Sequence, residues 1–64
     1  MAARRTSLPM GSGTAEFREA YKQRWNWTLR DAEGITLFAS QENTLDQAIK
    51  ACYREAKRRG VVTT

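Results

Sequence analysis

One stretch constrains the fold more than any other: the run from Trp25 to Ser40, Trp-Asn-Trp-Thr-Leu-Arg-Asp-Ala-Glu-Gly-Ile-Thr-Leu-Phe-Ala-Ser. Trp25, Trp27 and Leu29 alternate with Asn26, Thr28 and Arg30. This is the period-two pattern of a half-buried strand, written in residues that favour sheets. Asp31-Ala32-Glu33-Gly34 then reads as a type I turn closed by a left-handed glycine, the G1-bulge hairpin. Asp31 can accept backbone N–H bonds at the turn, and Gly34 takes a positive φ at little steric cost. A hairpin is therefore expected over 25–30 and 35–40, pairing Arg30 with Thr36, Leu29 with Leu37, Thr28 with Phe38 and Trp27 with Ala39. That register gathers Trp25, Trp27, Leu29, Leu37 and Ala39 on one face. It turns Asn26, Thr28, Arg30, Thr36, Phe38 and Ser40 to the other.

A lone hairpin is marginal in water, but a hairpin backed by a helix is viable. After a connecting turn at Gln41-Glu42-Asn43, Thr44-Leu45-Asp46-Gln47 forms a capping box, with the Thr44 hydroxyl placed to accept from the Gln47 N–H. The spacing predicts a helix over 45–59. Its apolar stripe is Leu45, Ala48, Ile49, Cys52, Tyr53 and Ala56. Gly60 suits the position after the helix, with Val61 against Ala56 in a Schellman closure. Lys57, Arg58 and Arg59 complement the negative helix end. The expected fold is α+β, a small antiparallel sheet packed on one C-terminal helix.

Sixty-four residues make one domain at most, with a thin stability margin. Residues 1–13, broken by Pro9, Gly11 and Gly13, read as a flexible basic tail. Residues 14–60 read as the sheet-helix domain and 61–64 as a short tail. Thr14 to Arg24 admits two readings. As a helix, Phe17, Ala20 and Tyr21 fall at i, i+3 and i+4; as a strand, Phe17 and Tyr21 share a face. Cys52 is the single cysteine and there is no histidine, so no disulfide within the chain, metal site or cofactor is expected. An unpaired cysteine suits a reducing cytoplasm. No apolar run approaches the length of a membrane span, and Ser7 to Gly13 offers no apolar core for a signal peptide.

Catalysis has little purchase. No histidine is present to act as a base near neutral pH, and Cys52 lies on the apolar stripe, where a buried inert thiol is the natural reading. The chain is expected not to be an enzyme. Trp25 and Trp27 could stack on bases, but their phase with Leu29 places them in the core. The formal net charge is +4, with Arg4 and Arg5 near the start and Arg54, Lys57, Arg58 and Arg59 at the helix end. Such clustering suits DNA or another acidic partner, or serves only solubility and the helix dipole. Asn26, Thr28, Arg30 and Thr36 on the outer face are groups with which a β-ribbon reads base edges. An ordinary solvated face would look the same. Phe38 on that face suggests a protein contact, or packing beneath a third element.

Two families resemble this chain. Trp25-Asn26-Trp27-Thr28-Leu29, then Gly34, an apolar strand and a helix, resemble the small YegP-like proteins, with Phe17 and Tyr21 matching first-strand aromatics. That likeness implies a sheet-helix unit, often tandem or dimeric, and departs at Gln41-Glu42-Asn43-Thr44. Met1-Ala2-Ala3-Arg4-Arg5 and the sheet-then-helix order are similar to the N-terminal arm-binding domain of lambda-type integrases. This second likeness implies that the sheet face away from the helix enters the DNA major groove, through Asn26, Thr28, Arg30 and Thr36. Both imply a first strand over 16–22. The functional expectation is a small DNA-binding module. The alternative is a protein-interaction module, such as a homodimer or a phage-type inhibitor of a host protein.

Overall fold

A computed structural model describes residues 4–63. Four strands run in chain order, β1 (Arg5–Met10), β2 (Gly13–Glu19), β3 (Trp25–Arg30) and β4 (Thr36–Glu42), followed by the helix α1 (Leu45–Arg58). The strands form one antiparallel sheet in the order β1-β2-β3-β4. The helix packs on β3, β4 and β2. The α+β class expected from the sequence is the one observed.

The N-terminal segment departs from expectation. Arg5–Met10 lies in no tail: it is an edge strand paired with β2, from Arg5 opposite Arg18 to Met10 opposite Gly13. Residues 1–3, also assigned to that tail and to the integrase likeness, lie outside the described residues, as does Thr64. The turn is Gly11-Ser12, with Gly11 at φ +62° and Ser12 not in the positive-φ region, as a two-residue II′ turn requires. A Gly-Ser pair between sheet-forming runs is itself a hairpin signal. It was obscured by the polar, proline-broken composition around it.

β2 spans 13–19 rather than 16–22. It ends where the Ala20 N–H donates to the Arg24 carbonyl at 2.6 Å, around a tight turn with Lys22 at φ +63° and Gln23 at +62°. Tyr21 is therefore no strand aromatic and stands 85% exposed. Sheet pairing overrides the helical propensity of this segment, because Phe17 becomes fully buried opposite Trp27.

The Asp31 turn forms as the sequence predicts. Asp31 Oδ1 accepts from the Glu33 and Ile35 amides, both at 2.9 Å, and Gly34 sits at φ +84°. Arg30 pairs with Thr36, also as expected, but the register then shifts at a bulge, and Leu29 faces Phe38 rather than Leu37. Thr28 faces Ala39 and Trp27 faces Ser40. Phe38 consequently moves from the outer face to the helix face. Its ring centroid lies 5.5 Å from that of Trp27, with the Arg59 guanidinium 5.3 Å above it. Ser40 joins that face, and Ala39 moves to the outer one. Leu37 is the extra residue and still packs, half-buried, against the core.

The core comprises Met10, Ala15, Phe17, Trp25, Trp27, Leu29, Ala48, Cys52, Ala56 and Val61. The Trp27 indole N–H donates to Glu42 Oε2 at 3.3 Å, which meets its polar demand. Thr44 caps α1 by accepting from the Gln47 N–H at 3.1 Å. At the other end Gly60, φ +77°, allows the Schellman pair, Val61 N–H to Ala56 carbonyl and Gly60 N–H to Lys57 carbonyl. Residue 61 is accordingly no tail residue: Val61 is buried, and its carbonyl receives the Ser12 amide at 3.0 Å.

Candidate functional site

The sheet face turned away from α1 is uncovered and polar. Cross-strand pairing lays its residues out in rows: Arg5, Arg18, Asn26 and Gln41; then Ser7, Glu16, Thr28 and Ala39; then Pro9, Thr14, Arg30 and Thr36. Each row alternates with an inward one, because successive side chains on a strand point to opposite faces. Only Pro9 and Ala39 in these rows are apolar, too little to bury against another protein layer.

Four of the expected DNA contacts, Asn26, Thr28, Arg30 and Thr36, share this face. Arg30 lies 3.7 Å from Glu16, both side chains about 40% exposed. Such an exposed pair is worth about 0–1 kcal/mol and leaves the guanidinium available. Asn26 Oδ1 accepts from Gln41 Nε2 at 2.9 Å, and Gln41 Oε1 accepts from Arg24 at 3.3 Å. Arg5 belongs to the face as a strand residue. Arg4 is drawn instead toward Glu19, at 3.9 Å. Sequence reasoning missed Arg18, Glu16 and Gln41. The alternation Thr14, Glu16, Arg18 was a readable signal, hidden by the competing helical reading of that segment.

The helix-end cations do not join this face, since α1 lies on the other side of the sheet. Arg58 and Arg59 both donate to Glu55 Oε2, at 3.1 and 2.6 Å. These bonds hold the Glu55 carboxyl below its ordinary pKa. Arg54 and Lys57 instead line an open groove of about 500 Å³ with Met10, Ile49, Lys50 and Tyr53. Phe38, expected as an exposed protein contact on the outer face, is exposed, at 37%, but on the helix side of the sheet beside Trp27 and Arg59. The structure thus separates residues that the sequence had grouped into one DNA surface.

Cys52 is fully buried, and burial raises its thiol pKa to about 11, the reverse of what a nucleophilic thiolate needs. Among the described residues, no group of three or more His, Cys, Asp or Glu side chains is placed to hold a metal ion. No helix among them is long and apolar enough to cross a membrane. In comparisons with known proteins, no family model matches the chain, and no curated protein or solved structure matches it either.

Proposed function

We propose that this chain is a non-enzymatic DNA-binding module that reads duplex DNA with the sheet face opposite α1. The observation that carries the reading is an open sheet face bearing Arg5, Arg18 and Arg30 against the single carboxylate Glu16, interleaved with Asn26, Thr28, Thr36 and Gln41. Strands lie about 4.8 Å apart, so four span about 14 Å, against a major groove about 12 Å wide. The central strands β2 and β3 therefore fit the groove floor, and β1 and β4 meet its walls. Arg30, Arg18 and Asn26 are then the base-reading candidates, and Arg5 a phosphate contact. The basic helix end, on the far side of the sheet, contributes to long-range attraction rather than to contacts.

The test is a fluorescence anisotropy titration of random and genomic duplexes at several salt concentrations. With Arg5 as the phosphate contact, log affinity should fall against log salt with a slope of about −1. Arg30→Ala should cost about 1–3 kcal/mol on a specific site, more than the Glu16 pair holds back. Arg5→Ala should weaken binding to all sequences alike and flatten the slope by about 1. No binding at tens of micromolar protein in low salt, about where non-specific binders already respond, rejects the reading.

A further inference from the structure

On the other side of the molecule, the groove beside α1 has a chemistry of its own. Its floor is Met10 and Ile49 with the ring of Tyr53, and its remaining lining is Lys50, Arg54 and Lys57. No carboxylate lines it. Among the described residues, Arg54 and Lys57 have no salt-bridge partner, and Lys50 has the exposed Asp46 at 3.2 Å. Lys57 sits over the Tyr53 ring, 5.8 Å from its centroid, so cation and apolar floor adjoin. Leu8, one of the few large apolar side chains left exposed, is two residues before Met10 on the inner side of β1.

We propose that this groove docks an acidic amphipathic segment of a partner protein. From Ile49 to Lys57 the helix rises about 12 Å, room for two turns of a docked helix whose apolar side chains face Met10, Ile49 and Tyr53. Carboxylates flanking those side chains then meet Lys50, Arg54 and Lys57. Charge complementarity selects this occupant. A second copy of the chain would oppose the same three cations across a two-fold interface, and like charges so placed repel. A nucleic-acid backbone would satisfy the cations but leave the apolar floor wet. The proposal is independent of the DNA reading, which concerns the opposite face.

The experiment uses the full chain, isotopically labelled, titrated by NMR with a synthetic peptide carrying Leu at helical i, i+3, i+4 and i+7 spacing and Glu elsewhere. A scrambled peptide of the same composition, polyglutamate and a DNA duplex are titrated in parallel. The expected result is saturable shifts at Met10, Ile49, Tyr53 and their neighbours, with the amides of Asn26, Thr28 and Arg30 unmoved. Tyr53→Glu, and separately Arg54→Glu with Lys57→Glu, should each weaken the peptide about tenfold or more, as loss of an interface anchor does. These side chains are solvent-exposed, so an unchanged melting temperature will separate lost binding from lost fold. Equal binding by the scrambled peptide, polyglutamate or DNA overturns the proposal. So do shifts confined to the outer face, concentration-dependent dimerisation through the groove, or no shift at about 1 mM peptide.

Discussion

Replacing Gly11 and Gly34 separately by alanine isolates the contact that ties the first hairpin to the end of the helix. Both glycines have positive φ, +62° and +84°, so both alanines incur the left-handed strain of about 1–2 kcal/mol. Their surroundings differ. A Cβ at Gly34 meets nothing within 4 Å, whereas one at Gly11 would fall 2.0 Å from the Val61 carbonyl oxygen. The turn must then retreat, breaking the Ser12 amide bond to that oxygen at 3.0 Å, worth about 1 kcal/mol net. Partial exposure of Val61 adds about 1–2 kcal/mol. Gly34→Ala should therefore cost about 1–2 kcal/mol and Gly11→Ala about 3–5 kcal/mol. A domain of this length has about 3–10 kcal/mol in all. Gly34→Ala stays folded, and Gly11→Ala sits near the threshold. Urea unfolding followed by Trp25 and Trp27 fluorescence measures both. Equal losses at the two sites would refute the hairpin-to-helix lock.

Other outcomes follow from particular side chains. Cys52 should react slowly with a thiol reagent in the native protein and fast in denaturant, because its buried thiol keeps its proton up to about pH 11. Fast native labelling would place it at the surface. Gln23→Gly should stabilise the protein by about 1 kcal/mol, since Gln23 holds φ +62° without glycine's freedom; calorimetry would show a raised melting temperature. Glu55 has a folded pKa below its ordinary value, so the stability it contributes is complete above about pH 4.5 and is lost as pH falls through the folded pKa. Wild type and Glu55→Gln should accordingly differ in urea midpoint at neutral pH and converge in acid. A constant gap would show that the Arg58 and Arg59 contacts do not carry the effect.

What the sequence alone determined is what short-range chemistry decides. The Asp31-to-Gly34 turn, the Thr44 cap, the burial of Ala48, Cys52 and Ala56, and the Gly60 closure formed as read, whereas Tyr53, read into the same stripe, stands exposed. Each depends on residues within a few positions of one another, where side-chain reach and φ preference leave little choice. The tertiary structure alone decided the rest. Arg5–Met10 is a strand because β2 offers it an unpaired edge, and Thr14 to Glu19 is strand rather than helix because Phe17 is buried between partners distant in sequence. The bulge beyond Thr36 exists where Phe38 gains Trp27 below and Arg59 above. A one-residue slip in pairing turns side chains to the opposite face. The membership of the open face, with Arg5 and Arg18 added and Phe38 and the helix-end cations removed, was settled by strand partners that no local pattern names.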